Sequence, residues 1–247
     1  MYAQYYDLLY SDKSYASEAA YVDQLIKQHI PSAKEILNLG CGTGKHDYAL
    51  ARLGYHITGV DLSSEMVTLA MKNLPHDLSE HLNFLEADIR AIKLNTTFNV
   101  IISLFHVMSY QVTNNDLRQV IDVSYHHLDA DGLFIFDCWY GPGVLTDPPV
   151  IRTKNISNDK INVTRLAEPV LNSIQNTVDV NYTIRIKPRD SNEITEIKEK
   201  HIMRYLFVQE IEQLIEKKFK LLNIFNWLTN EEPGTDCWNA VFVLQKI

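Results

Sequence analysis

Two short runs of the chain are apolar at consecutive positions: residues 99–103 are NVIIS and residues 133–137 are LFIFD. A strand that faces water on one side alternates apolar and polar residues, whereas a strand buried on both faces does not. These runs therefore predict strands of a parallel sheet covered by helices on both faces. They constrain the fold strongly, because parallel neighbours need long crossover connections, which are usually helices.

Helical and extended patterns alternate around these runs, as a doubly wound α/β fold requires. Helices are predicted at 15–30, 45–53, 64–73, 114–128 and 208–218, and strands at 36–39, 55–60, 82–86, 98–103, 133–138, 221–227 and 238–245. After the fifth strand the period changes, because Val178, Val180 and Tyr182 alternate with polar residues, which is typical of an antiparallel sheet wet on one face. The sequence predicts one domain formed by 1–149 and 206–247, with an antiparallel β insertion at 150–205.

Composition limits the partners and the compartment. The 247 residues include 23 basic and 31 acidic side chains, a net charge of -8, so no broad positive field favours nucleic acid. No segment approaches the ~20 apolar residues that span a bilayer, and the first residues do not resemble a signal peptide. Cys41, Cys138 and Cys237 lie far apart, without the spacing of a metal or redox motif. We expect a cytoplasmic protein with free thiols, no metal, no nucleic acid and no membrane partner.

The segment ILNLGCGTG carries an apolar strand into Gly40, Gly42 and Gly44, and a helix follows. Glycine is needed in such a turn because the dihedral angles are tight and a ligand must approach bare backbone. A nicotinamide dinucleotide site would have its third glycine one position later, where this chain has Lys45. That spacing argues against a dehydrogenase and favours a ligand without a pyrophosphate, whose amino acid part lies along the turn.

Two aspartates follow neighbouring strands. Asp61 closes HITGVD, 21 residues after Gly40, where it can accept hydrogen bonds from both hydroxyls of a ribose. The alternative is a cap for the next helix, although two serines follow that can cap it themselves. Asp88 ends the third strand and is predicted to accept from an adenine amino group beside Ile89, the alternative being a loop aspartate bonded to its own backbone.

The motifs ILNLGCGTG, ITGVDLSSEM, FLEADI, FNVIISLF and GLFIFDCW occur in an order and at spacings that resemble class I S-adenosylmethionine-dependent methyltransferases. The resemblance covers about residues 1–140 and the final strands. The opening YDLLY and DKSY, the segment FHVMSYQ and the β insertion look most like amino-sugar N-methyltransferases of nucleotide-linked deoxysugars, and also like methyltransferases encoded with bacterial surface polysaccharides. The resemblance implies a mostly parallel, seven-stranded Rossmann-like sheet, S-adenosylmethionine as cofactor and a small-molecule acceptor.

In the enzymes that this chain resembles, a leading segment folds over the cofactor. The resemblance therefore implies that a phenol of Tyr6 or Tyr15 bonds the methionine carboxylate, the alternative being that either ring anchors the core. The full set of residues expected to contact the cofactor is Tyr6, Tyr15, Gly40, Cys41, Gly42, Thr43, Gly44, Asp61, Leu62, Met66, Asp88, Ile89 and Leu104.

The segment LFHVMSYQ follows the fourth strand and supplies the candidate catalytic residues, His106 and Tyr110. An amine must lose a proton before it attacks, and an imidazole or a phenol within reach can take that proton or orient the lone pair. The alternative is that the two rings are neighbours on one helical turn and pack against the sheet. Amino-sugar enzymes of the resembling type usually have a histidine near the position of Tyr110, whereas here it lies four residues earlier.

The acceptor remains open between an amino group of a nucleotide-linked sugar and, for an O-methyltransferase, a sugar hydroxyl or a carboxylate. A noncatalytic S-adenosylmethionine-binding protein is a further alternative, because fold alone does not establish chemistry. The insertion is expected to cover the acceptor site or to form a homodimer face. Its basic residues are the predicted partners of a diphosphate. They are Arg152, Lys154, Arg165 and Arg185.

Overall fold

The computed structural model of the protein describes residues 2–191 and 193–247. The helices are α1 (Tyr2–Leu9), α2 (Tyr15–His29), α3 (Lys45–Ala51), α4 (Ser64–Lys72), α5 (Asn114–His127), α6 (Gly141–Thr146) and α7 (Val208–Ile215). The strands are β1 (Glu35–Leu39), β2 (His56–Asp61), β3 (Leu82–Glu86), β4 (Phe98–Ser103), β5 (Leu128–Trp139), β6 (Arg152–Ser157), β7 (Ile161–Asn172), β8 (Thr177–Pro188), β9 (Thr195–Arg204), β10 (Phe219–Asn226) and β11 (Asn239–Lys246).

Seven strands form one mixed sheet in the order β10-β11-β5-β4-β1-β2-β3. The pairs from β3 to β5 are parallel. β11 is antiparallel to both β5 and β10, so β10 runs in the same direction as the parallel strands. The two apolar runs lie in β4 and β5 near the centre of this sheet, where Ile101 and Phe134 are fully buried. The predicted doubly wound, mostly parallel sheet is confirmed.

Helices cover both faces of the seven-stranded sheet, which explains why its central strands contain almost no polar residues. On one face Leu117 of α5 and Ile211 of α7 belong to the same buried cluster as the sheet. On the other face Leu25 of α2, Leu50 of α3 and Val67 of α4 do the same. The carboxyl ends of the parallel strands remain at one open edge, which is where open α/β sheets bind ligands.

A second sheet of four antiparallel strands, β6-β7-β8-β9, follows the fifth strand, as predicted. The alternation in β8 matches its burial, because Val178, Val180 and Ile184 are buried while the residues between them are not. The buried face of this sheet packs against α1 in a cluster that includes Tyr5 and Leu9. The predicted homodimer through this sheet stays a prediction.

Some predicted bounds differ from the structure. The leading segment contains α1, a helix that the pattern did not predict. The helix predicted at 208–218 ends at Ile215, because Lys217 has a φ of 68°, a left-handed conformation that does not continue a right-handed helix. The fifth strand, predicted from 133, begins already at Leu128. Within the described residues, no helix combines the length and the apolar character needed to cross a bilayer.

Candidate functional site

A cavity of about 320 Å³ lies at the carboxyl edge of the parallel strands, between that edge, the first fifteen residues and the four-stranded sheet. Residues that directly follow β1, β2 and β4 line it, as expected for an open α/β fold. The lining comprises Tyr6, Tyr10, Tyr15, Gly40, Cys41, Gly42, Thr43, Lys45, His46, Asp61, Ser63, Met66, Leu104, Phe105, His106, Val107, Tyr110, Trp139, Tyr182, His201 and Met203.

The three glycines of the turn after β1 all have positive φ, of 89°, 56° and 75°, but they serve different ends. A Cβ on Gly40 would lie 2.5 Å from Val107 Cγ2, and one on Gly44 would lie 2.7 Å from Phe84 Cζ, so both glycines permit close packing. A Cβ on Gly42 would meet no atom of the described residues within 4 Å. Gly42 therefore faces the cavity, and it is the point where a ligand can approach bare backbone.

Asp61 ends β2 beside this turn and lines the cavity. Its carboxylate accepts hydrogen bonds from the backbone N–H of Gly42 at 2.8 Å and of Ser63 at 2.9 Å. Ser63 itself caps α4 by accepting from the N–H of Met66. Burial raises the pKa of Asp61, although these two backbone donors oppose the rise. Each carboxylate oxygen still has a lone pair that a hydroxyl of a ligand can use.

The first residues of the chain close over the glycine turn. Asp7 of α1 accepts from the Thr43 hydroxyl at 2.8 Å and lies 3.0 Å from Lys45 Nζ. Tyr6 and Tyr15 line the cavity, and the bond of either phenol to the methionine carboxylate stays a prediction. Burial, with Asp7 among the nearby carboxylates, raises the pKa of Tyr15, so its phenol stays protonated and can donate a hydrogen bond.

Four of the residues predicted to contact the cofactor lie outside the cavity lining. Gly44 packs against Phe84, Leu62 is 66% exposed, and Ile89 is buried in the core. Asp88 bonds the Arg90 guanidinium at 2.7 Å, and this bond keeps the pKa of Asp88 below its usual value. The adenine role of Asp88 stays a prediction.

The far end of the cavity begins at an unusual backbone turn after β4. Phe105 and His106 are consecutive residues with φ of 64° and 63°, a conformation that non-glycine residues rarely adopt and that often occurs at functional sites. Nδ1 of His106 lies 2.8 Å from Oδ2 of Asp137, and the backbone N–H of His106 donates to both oxygens of that carboxylate. Burial alone would raise the pKa of Asp137, but the charge and hydrogen bonds of His106 hold it below its usual range.

Tyr110 connects this end of the cavity to the four-stranded sheet. Its hydroxyl lies 2.8 Å from Nδ1 of His201 on β9, and Nε2 of His201 lies 3.3 Å from Oε2 of Glu199. The hydroxyl of Tyr5 donates to Oε1 of Glu199 at 2.7 Å. His106 and Tyr110 thus line the same cavity but contact different partners, Asp137 and His201, and their catalytic roles stay predictions.

Of the four basic residues predicted to meet a diphosphate, only Arg165 reaches this region. It lines a cavity of about 30 Å³ that adjoins the larger one, and its guanidinium carbon lies 5.0 Å from the centre of the Tyr182 ring. Lys154 instead bonds Asp12 and the Leu9 carbonyl. Arg185 pairs with Glu196, and Arg152 is exposed at the start of β6.

The site also involves Asp137, Tyr182, Glu199 and His201, which were not predicted from the sequence as site residues. A signal existed for Asp137, because a carboxylate inside the apolar run LFIFD must be buried and therefore needs a partner. His201 gave no comparable signal, because it lies in β9 directly after a largely charged segment that contains two lysines and two glutamates.

The residues present fit S-adenosylmethionine, the cofactor that the resemblance implies. The open side of Gly42 leaves room for an extended amino acid moiety beside the backbone. Asp61 provides a half-buried acceptor directly beside that turn, 2.8 Å from the backbone nitrogen of Gly42. Met66 and Leu104 add apolar walls. The two features that this cofactor requires are therefore present: a turn with accessible backbone and a carboxylate that can accept further hydrogen bonds.

Comparison with known proteins agrees with this fit. Residues 36–132 match the family model described as a methyltransferase domain. A Streptomyces venezuelae dTDP-3-amino-3,4,6-trideoxy-alpha-D-glucopyranose N,N-dimethyltransferase is 28% identical over 185 residues, covering 74% of this chain and 76% of that protein. A Saccharopolyspora spinosa dTDP-4-amino-2,3,4,6-tetradeoxy-D-glucose N,N-dimethyltransferase is also 28% identical, covering 79% of this chain and 76% of that protein.

Among solved structures, Streptomyces venezuelae DesVI superposes with a TM-score of 0.83 at 20% identity, covering all of this chain and 99% of that chain. An S-adenosylmethionine-dependent methyltransferase from Clostridium acetobutylicum also has a TM-score of 0.83 at 20% identity, covering 98% of this chain and 96% of the other. At this identity the likeness concerns the fold. It extends over both sheets, so the four-stranded sheet is part of a known arrangement.

Proposed function

Since the chain belongs to the S-adenosylmethionine-dependent methyltransferases, we propose that it methylates the amino group of a nucleotide-linked sugar. The observation that carries the proposal is the lining of one cavity, which combines the bare glycine turn and Asp61 with His106 and Tyr110. The relatives that act on dTDP-linked amino sugars cover about three quarters of this chain.

In this proposal the seven-stranded sheet binds the cofactor. Asp61 accepts from the ribose hydroxyls, the turn from Gly40 to Thr43 holds the amino acid moiety, and the phenol of Tyr6 or Tyr15 bonds its carboxylate. S-adenosylmethionine supplies a methyl group on a positively charged sulfur. The protein then has to position the acceptor nitrogen in line with that methyl group and keep water away, and positioning of this kind provides much of the rate.

The other end of the cavity, with the β insertion at 150–205 as its cover, binds the acceptor in this proposal. Imidazole and phenol side chains suit an amine. An amine that is protonated near neutral pH has to lose only one proton to expose its lone pair, and these side chains can take it. We assign the handling of that proton to His106 and Tyr110. In this proposal Asp137 fixes His106 in place, because it accepts from the backbone N–H of His106 and its carboxylate lies 2.8 Å from Nδ1.

Incubation with S-adenosylmethionine and a panel of nucleotide-linked amino sugars, followed by mass spectrometry, tests the proposal. We expect a mass gain of one or two methyl groups on an amino sugar and none on the matched sugar that has a hydroxyl in place of the amine. Methylation of the hydroxyl compound, or of a carboxylate, would instead favour an O-methyltransferase.

Arg165 provides a test of the diphosphate. We expect Arg165→Gln to raise the acceptor KM by about tenfold or more, because a hydrogen bond between charged groups contributes about 1.5 to 3 kcal/mol. Arg185→Gln is the matched control, since Arg185 lies on the same sheet but pairs with Glu196 away from the cavity. Equal KM values for both variants would argue against a diphosphate at this position.

A further inference from the structure

We propose that His201 receives the acceptor proton through the hydroxyl of Tyr110, and that Glu199 holds His201 in the tautomer that this transfer requires. This inference rests on the proposed methyl transfer to an amine. It adds to the site a histidine from the four-stranded sheet, and so gives that sheet a part in the chemistry beyond covering the cavity.

The contacts determine the tautomer. An ionised carboxylate only accepts hydrogen bonds, so Nε2 of His201, 3.3 Å from Oε2 of Glu199, must carry the proton. A neutral imidazole then has its lone pair on Nδ1, which lies 2.8 Å from the Tyr110 hydroxyl. Tyr110 therefore donates to His201, and its oxygen keeps lone pairs for a donor in the cavity.

Glu199 is itself held in place. Tyr5 of α1 donates to its second oxygen at 2.7 Å, so both oxygens have a defined donor. The resulting chain of contacts runs from Tyr110 through His201 and Glu199 to Tyr5, and it connects the loop after β4, the strand β9 and helix α1. A histidine whose far nitrogen faces a carboxylate is a stronger proton acceptor, because the carboxylate stabilises the imidazolium that forms.

Each proton that moves in this relay has a defined donor and a defined acceptor. The N–H bond of the acceptor breaks with its electron pair left on nitrogen, and that proton moves to the Tyr110 oxygen while the Tyr110 proton moves to Nδ1 of His201. His201 becomes an imidazolium and releases one proton to water before the next turnover. Burial raises the pKa of Tyr110, so the phenol stays protonated at neutral pH and passes a proton on only as it receives one.

The surroundings of His201 include one carboxylate, one guanidinium and several phenols. Glu199 neighbours it on β9, Tyr182 on β8 has its ring centre 5.2 Å away, and Arg165 on β7 contacts Tyr182. Tyr10 also lines the same small cavity. Glu199 is a charged group in direct contact with the imidazole, so removal of its charge perturbs the network directly.

A measurement without cofactor or acceptor tests the network itself. In ¹⁵N NMR of histidine-labelled protein, the His201 signals are assigned by their loss in His201→Gln. We expect the neutral imidazole to be protonated on Nε2, and in Glu199→Gln we expect a mixture of the two tautomers, because the carboxylate that accepts from Nε2 is removed. A proton on Nδ1 in the unaltered protein, or a tautomer that does not change in Glu199→Gln, overturns the proposal.

The dependence of kcat on pH tests whether the network is used. We expect His201→Gln to lower kcat about 100-fold and to remove the acid limb, and Glu199→Gln to lower kcat by a smaller factor, because the imidazole is then no longer held in one tautomer. His126→Asn is the control, because His126 is exposed on α5 and lies outside the cavity lining, and it should retain the limb. Unchanged cofactor affinity in His201→Gln shows that the variant is folded. An acid limb that persists in His201→Gln overturns the proposal.

The two experiments separate this inference from the proposed function. Methylation of an amino sugar with an unaltered pH profile in His201→Gln rejects the relay and leaves the function standing. If no amino sugar is methylated, the function fails, and the NMR result alone decides whether the network exists as described.

Discussion

The two walls of the cavity are built in different ways. On the wall formed by the seven-stranded sheet, backbone groups in turns make the contacts. The hydrogen bond from the Gly42 N–H to Asp61, for example, joins residues 19 positions apart. On the opposite wall, side chains meet across the fold: Tyr110 and His201 are 91 positions apart, and Tyr5 and Glu199 are 194 apart. The difference teaches that the contacts at the glycine turn are local along the chain, whereas the contacts of Tyr110 depend on how the two sheets are placed.

Two buried aspartates show the same contrast. Asp47, at the start of α3, accepts both of its side-chain contacts from the neutral amide of Asn38, and burial raises its pKa to about 7. Asp137 is equally buried, but His106 beside it keeps its pKa below the usual value. A neutral partner leaves burial dominant, whereas a cationic partner outweighs it.

The largest expected effect lies on the cofactor wall. Gly42→Val should weaken cofactor binding by a factor of about 1000 or more, which is about 4 kcal/mol, because the branched side chain enters the open side of the turn. Gly54→Val is the matched control: Gly54 has a φ of 94° and no close neighbour to its Cβ, but it lies outside the cavity lining. Isothermal calorimetry measures both. Equal losses in the two variants would mean that backbone strain alone explains the effect.

The raised pKa of Asp47, at the start of α3, predicts that the stability of the protein depends on pH. Its folded pKa of about 7 exceeds the ordinary 3.8, so its stabilising contribution is complete below about pH 4 and is lost as pH rises through 7. Asp47→Asn should therefore gain about 3 kcal/mol relative to wild type between pH 5 and pH 8, at 1.36 kcal/mol per unit.

Urea unfolding without cofactor at several pH values measures this slope. Asp77→Asn, at an exposed aspartate in the short turn after α4, is the control and should keep the wild-type slope. If the wild-type protein does not lose stability relative to Asp47→Asn between these pH values, the buried carboxylate must interact with a further group besides Asn38.

The smallest of the expected effects concerns Asp61. Asp61→Ala should weaken cofactor binding by about 2 to 3 kcal/mol, within the range for a hydrogen bond to a charged acceptor. The same substitution at Asp88 decides its predicted adenine role: a loss below about 1 kcal/mol would assign Asp88 to Arg90 alone, and an equal loss would bring it into the site. Calorimetric titration with S-adenosylhomocysteine measures both, and undiminished binding in Asp61→Ala would contradict the ribose role.

The sequence was sufficient for the architecture. Consecutive apolar residues predicted the central strands, and the change to a period of two predicted the four-stranded sheet; both are confirmed. It missed α1, because eight residues with three tyrosines give a weak helical pattern. That helix exists because Tyr5 and Leu9 pack on the four-stranded sheet, which is a tertiary interaction.

What the sequence by itself determined is the glycine turn, Asp61 at the next strand end and His106 and Tyr110 beyond the fourth strand, because strand ends of a parallel sheet share one edge whatever the rest of the chain does. Only the tertiary structure decided that Tyr110 contacts His201 and that Glu199 and Tyr5 lie behind His201. These contacts join side chains from separate sheets and loops, and their partners are set by how those units pack. Periodicity carries no information about that packing.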